Sequence, residues 1–82
     1  MKYVVYVLKD EEGKLYKGVT NNLERRVAEH RRHNTRTTSL MGELTIAYTE
    51  KFDNFESARK RELYLKSAAG RRFLKKHIGP VA

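Results

Sequence analysis

Three side chains stand where packing alone would place something else. Phe55, Ala58, Glu62, Leu65 and Ala69 are spaced 3, 4, 3, 4, the seam of an amphipathic helix, and Glu62 takes a place that calls for an aliphatic residue. A carboxylate buried in such a seam must be paired, protonated or bound to a cation. On spacing alone two readings stand level: a structural ion pair with an Arg of the preceding helix, and ligation of a metal ion. A second stripe, Leu23, Val27 and His30, ends in an imidazole, and Arg26 borders it four residues before His30. Singly, a His at a helix end is more often a cap or a surface residue, and one Arg of a pair such as Arg25-Arg26 is usually solvated charge. An Arg, a His and a Glu on core-facing positions of two helices in one small basic chain form a set that packing does not explain. Tyr6 and Tyr16, ten residues apart on what read as paired strands, can lie near one another. Strand tyrosines usually pack, as Tyr3, Tyr48 and Tyr64 are also expected to do.

The elements that must position these groups follow from the pattern of the chain. Tyr3 to Leu8 is β-branched and aromatic on both alternating faces, which suits a central strand. Asp10 to Gly13 is a turn cluster and Lys14 to Gly18 resumes an extended pattern, so residues 3–18 read as a hairpin. Asn21 followed by Glu24 has the form of a capping box, opening a helix to about Arg32. His33 to Thr38 reads as a loop. Leu44 to Phe52 reads as a strand with Leu44, Ile46 and Tyr48 on one face. Asp53-Asn54, with Glu56 three residues beyond Asp53, is expected to cap a second helix that ends near Ala69 with Gly70 as its C′ residue. Arg71 to His77 forms a short third helix, closed by Gly79-Pro80. The expectation is an α+β domain, ββαβαα, with a small three-stranded antiparallel sheet flanked by helices, over residues 1–78, and a short tail at 79–82.

Composition narrows the function classes. The 82 residues leave room for one modest core. The longest apolar run, starting at Tyr3, is far too short to span a membrane, and there is no cysteine for disulfides or thiolate metal sites. The expected setting is intracellular and cytoplasmic. Lys and Arg number 18 against 10 Asp and Glu, a net charge of +8. Residues 21–42 carry +3 and residues 70–82 carry +4 of it. Such an excess points to a polyanion, since neutralised phosphates release counterions. Charge alone does not separate a binder from a cutter.

The ordered set Val4-Val5-Tyr6, Tyr16-Lys17-Gly18, Asn21 to Arg26 with His30, and Lys60-Arg61-Glu62 resembles the GIY-YIG nuclease domain, in particular its small stand-alone members. The resemblance spans about Tyr3 to His77. It departs from the usual motif at Val4, where glycine is usual, and at Lys17, where isoleucine is usual; both tyrosines and the structural Gly18 are kept.

The resemblance implies hydrolysis of a phosphodiester bond by water, with one divalent cation, Mg²⁺ before Mn²⁺, held by Glu62. Mg²⁺ keeps waters and takes phosphate oxygens, so a single protein carboxylate suffices. Arg26 would stabilise the dianionic transition state. Tyr6 is the first candidate for the base and Tyr16 the second, with cationic neighbours expected to lower the phenol pKa; His30 would orient a tyrosine or the water, or serve as base itself. Substrate contacts are expected from Arg31 and Arg32, from the Thr35-Arg36-Thr37-Thr38 loop, and from Arg71, Arg72, Lys75 and Lys76. With no element that reads bases, the expected activity is an endonuclease that selects shape more than sequence. DNA is favoured over RNA, a role in DNA repair or processing fits, and a partner protein could set the target. The rivals are a nucleic-acid binding module that has lost cleavage, and an interaction protein in which Arg26 and Glu62 form only a structural ion pair.

Overall fold

The computed structural model describes residues 2–32 and 42–78. Its elements are β1 (Tyr3–Lys9), β2 (Leu15–Thr20), α1 (Leu23–Arg31), β3 (Thr45–Phe52), α2 (Phe55–Lys66) and α3 (Ala68–Ile78). The three strands form one antiparallel sheet in the order β2-β1-β3. The small α+β architecture, ββαβαα, is as the sequence predicts. The expected Arg36 contact and the rest of its loop, the Gly79-Pro80 stop and the 79–82 tail lie outside the described residues.

β1 is central because it is apolar on both faces. Val5 and Val7 join Ala58, Leu65 and Leu74 in a core under α2 and α3. Tyr6 and Leu8 join Val27 and Leu44 in a second core on the α1 face. The hairpin turn is fixed by Asp10, whose Oδ1 accepts from the Glu12 and Lys14 amides at 3.0 and 2.8 Å. Gly13 takes φ 87°, a left-handed conformation that favours glycine.

Several local expectations are corrected. Asn22, not Asn21, caps α1, accepting from the Arg25 amide at 3.0 Å. Of the expected pair Asp53-Asn54, it is Asn54 that caps α2, accepting from the Ser57 amide at 2.8 Å. In each pair of adjacent cap candidates the second wins, because its side chain faces the open amide of the first turn. Leu44, Ile46 and Tyr48 do not share a face. Val7 pairs with Tyr48 but Leu8 with Ile46, so Ala47 is an extra residue and the bulge moves Ile46 to the α1 side. Phe55 leaves the α2 seam, 52% exposed, with its ring edge-on to Tyr3 at 5.6 Å.

The largest correction concerns Gly70. α2 ends at Ser67, whose hydroxyl bonds the Tyr64 carbonyl, and α3 starts directly after it. Gly70 therefore lies in the first turn of α3 and ends no helix. A β-carbon there would come 2.0 Å from the Tyr64 carbonyl oxygen and 2.4 Å from Leu65 Cα. This glycine is required by the close approach of two helix backbones rather than by a left-handed turn.

Candidate active site

Tyr6 points to the α1 face of the sheet, and its partner across the ladder is Gly18 on the edge strand β2. The phenol lies over that glycine. A β-carbon on Gly18 would stand 2.6 Å from the Tyr6 oxygen, so the tyrosine needs the glycine. Tyr16 pairs with Leu8 and therefore shares this face, with its ring 6.2 Å from that of Tyr6.

α1 supplies the other two groups. His30, fully buried at the end of the Leu23–Val27 stripe, places Nε2 2.9 Å from the Tyr6 oxygen. Its ring lies 4.5 Å from Tyr16. One turn earlier, the Arg26 guanidinium bonds the Tyr6 and Tyr16 oxygens, and its Nη1 donates to Glu29 Oε1 at 3.1 Å. A guanidinium only donates, so the Tyr6 oxygen accepts from Arg26, and the Tyr6 hydrogen is shared between its two other partners, His30 Nε2 and Tyr16.

The electrostatics agree with that assignment. Burial pushes the Tyr6 phenol up to about 12, and the Arg26 hydrogen bond only partly opposes it. The expected lowering of the phenol is thus reversed: the ring is desolvated more than its cation stabilises the anion. Burial, then the Arg26 charge, push His30 below the ordinary imidazole value, which keeps it neutral and able to accept a proton. The bond to Tyr6, followed by that to Glu29, raises Arg26 further above neutrality.

Glu62 is buried as the seam predicts, 6% exposed, but in the other layer. Its seam neighbours Ala58 and Leu65 belong to the core on the α2–α3 side of the sheet. Its partners are not in α1. Arg59 donates to Oε1, and Lys66 Nζ lies 3.2 Å from Oε2, both within α2. The Arg26–Glu62 ion pair is absent among the described residues, since Arg26 pairs with Glu29. Arg59 and Lys66 were readable as the i−3 and i+4 neighbours of Glu62, a spacing that puts them on one helix face.

A metal would find one buried carboxylate here. Among the described residues no three His, Cys, Asp or Glu side chains gather into a ligand set. That suits a cation that keeps most of its waters and takes phosphate oxygens, as Mg²⁺ does. Arg59 and Lys66, which hold its two oxygens, are about half exposed, so a hydrated cation could take their place at Glu62.

The basic residues fall in two places. Arg31 and Arg32 are exposed at the end of α1, while Arg71, Arg72, Lys75 and Lys76 are exposed on α3. Because Val27 and Leu74 belong to cores on opposite faces of the sheet, these are two separate surfaces. No described helix is long and apolar enough to cross a membrane.

Comparison with known proteins shows the family. The profile of the GIY-YIG catalytic domain matches residues 2–76. A UPF0213 protein of Clostridium perfringens is 40% identical over 67 residues, covering 80% of this chain and 71% of its own. A UPF0213 protein of Natronomonas pharaonis is 39% identical over 66 residues, covering 79% and 78%. The solution NMR structure of a UPF0213 protein from Bacillus halodurans superimposes with a TM-score of 0.60 at 26% identity, over 98% of this chain and 89% of that one. With tyrosines, Arg26 and His30 gathered around one phenol and a family match over nearly the whole chain, the protein belongs to the GIY-YIG family, among its UPF0213 members.

Proposed function

We propose that the protein is a metal-dependent endonuclease that hydrolyses phosphodiester bonds of DNA, selecting shape more than sequence and serving DNA repair or processing. The observation that carries this reading is the Tyr6–His30 hydrogen bond with Arg26 on the same phenol. A neutral phenol held between a cation and a neutral imidazole is a proton relay. As water attacks phosphorus, its proton passes to the Tyr6 oxygen while the Tyr6 hydrogen passes to His30 Nε2. The P–O bond to the leaving oxygen breaks, and that oxygen takes its proton from solvent. No free phenolate is needed, which suits a tyrosine with a pKa of about 12. Arg26 donates to the equatorial oxygens as their charge grows. Tyr16, its ring tilted 56° against that of His30 at 4.5 Å, helps keep the imidazole in place.

Glu62 would hold the divalent cation, Mg²⁺ or Mn²⁺, from the α2–α3 side of the sheet, so its Lewis-acid stabilisation of the phosphoryl charge requires a phosphate that reaches past the sheet edge to both layers. The net charge of +8 supports a nucleic-acid substrate. One observation favours the second reading, a binding module without cleavage: both oxygens of Glu62 already hold cations. Cleavage of labelled single-stranded, duplex and branched DNA, and of RNA, with Mg²⁺ or with EDTA, separates the two.

A further inference from the structure

Glu62 sits in the core stripe of α2 with Ala58 and Leu65, both fully shut off from solvent. The flank beside that stripe carries Arg59 and Lys66, three residues before Glu62 and four after. Each takes a different oxygen: Arg59 Nη1 donates to Oε1, and Lys66 Nζ lies 3.2 Å from Oε2. The Glu62 side chain is 8% exposed, while those of Arg59 and Lys66 are 48% and 47% exposed. A buried anion thus meets two cations that both reach it from water.

Helix stability alone does not ask for this. A pair at i and i+3 on a helix surface ordinarily joins two partly exposed side chains and contributes little, as Arg26 and Glu29 do at 34% and 37% exposure. The desolvated carboxylate of Glu62 needs one positive charge to balance it. It holds two, which leaves a local excess of +1 in a chain that already carries +8. Their combined charge equals that of one divalent cation.

We propose that Arg59 and Lys66 gate the metal site: they compete for the two oxygens of Glu62, and a divalent ion takes the carboxylate by displacing them. This rests on the reading above, in which Glu62 holds the cation, and adds what controls its entry. A monovalent ion matches the charge of only one of the two, so the gate favours divalent ions. The same competition holds the affinity of Glu62 below that of an unpaired buried carboxylate, so occupancy follows the free divalent concentration. Both side chains have a place to go. Glu56, exposed three residues before Arg59, offers it a second partner, and Lys66 is the last residue of α2, with water beside it.

The test is titration with Mn²⁺ alone, followed by the electron paramagnetic resonance signal of the free ion, for wild type, Arg59→Gln, Lys66→Gln, Lys60→Gln and Glu62→Gln. Lys60 is exposed on the same helix, two residues from Glu62 and so on the opposite side, and serves as the charge control. Arg59→Gln and Lys66→Gln are each expected to bind Mn²⁺ about fivefold more tightly than wild type, Lys60→Gln to stay within about twofold, and Glu62→Gln to lose the site. The double variant Arg59→Gln/Lys66→Gln should melt below wild type in EDTA, its buried carboxylate unpaired, and gain more from Mg²⁺ than wild type gains. Unchanged or weaker Mn²⁺ binding in both single variants, or an equal gain in Lys60→Gln, overturns the gate. If that happens while wild type binds Mn²⁺ and Glu62→Gln does not, the gate alone falls. If Glu62→Gln binds as wild type does, or no variant binds at all, the metal-dependent reading falls with it.

Discussion

The Tyr6 hydroxyl lies 2.9 Å from His30 Nε2, a bond between the central strand and the end of α1 that is shut away from solvent. Twenty-four residues separate the two in the chain. A bond of this kind stabilises the fold modestly and, by the proposed relay, carries the proton of the reaction. Tyr6→Phe keeps the ring and removes the hydroxyl. It should lower the single-turnover cleavage rate by about 10²–10⁴-fold, the usual yield of general acid–base catalysis. Loss of the Tyr6–His30 hydrogen bond should cost about 1–2 kcal/mol in urea unfolding. A rate within threefold of wild type would remove Tyr6 from the mechanism.

Gly18→Ala tests the position of the phenol without touching its chemistry. The new methyl group would meet the Tyr6 oxygen at 2.6 Å, and the ring must move. Displacement on this scale should cost about 10²-fold in rate. Stability should fall too, by about 1–3 kcal/mol, because the ring is buried and hydrogen-bonded and has no free space to move into. Thermal melting beside the cleavage rate checks both halves, and an active, unshifted variant would show that the phenol position is not critical.

Acid should weaken the fold through His30. Its folded pKa lies below the ordinary 6.5, because it is buried and faces Arg26; Glu29 opposes the shift, and Tyr6 and Tyr16 are its uncharged neighbours. Below 6.5 the unfolded chain binds a proton that the folded one resists, so the contribution of His30 is complete above 6.5 and is lost as pH falls through the folded value. Urea unfolding at pH 5 and 7.5 should show a smaller acid loss in His30→Gln than in wild type. Equal losses would mean that His30 is not held neutral. The rate should follow the same ionisation, and Tyr6, at about 12, should add no alkaline limb below about pH 11.

Much of this was legible in the residues, for stated reasons. β1 announced itself by being apolar on both faces, and Glu62 by interrupting a seam that it proved to occupy. Arg26 and His30 fell together because four residues make one helical turn. What stayed hidden depends on long-range geometry. The bulge at Ala47 is one inserted residue that no alternation reveals, and it reverses the face of Ile46. The reversal of the Tyr6 shift follows from burial by α1, a tertiary fact. Nor does any spacing tell that Tyr6 and Glu62 lie in different layers.

Gly70 shows the same limit. A glycine after Ala68-Ala69 has the profile of a helix end, yet here it lets α3 approach the last turn of α2. Gly70→Ala should therefore destabilise strongly, by about 1–3 kcal/mol or more, because backbone atoms cannot move aside as side chains can. Were this glycine a cap, its replacement by Asn would be tolerated. Both variants should melt well below wild type, and a stable Gly70→Asn would contradict the packing.

The most direct test of the central claim is cleavage of end-labelled branched and single-stranded DNA by wild type and Glu62→Gln, with Mg²⁺ or with EDTA. Discrete cuts are expected that need Mg²⁺ and fall by about 10²-fold or more in Glu62→Gln, as a buried metal-holding carboxylate requires. Salt-sensitive binding with no cleavage in Mg²⁺ or Mn²⁺, on these or on duplex DNA or RNA, and unchanged by the substitution, would contradict it. Glu62 would then be the ion-pair partner of Arg59 and Lys66, and the protein a binding module.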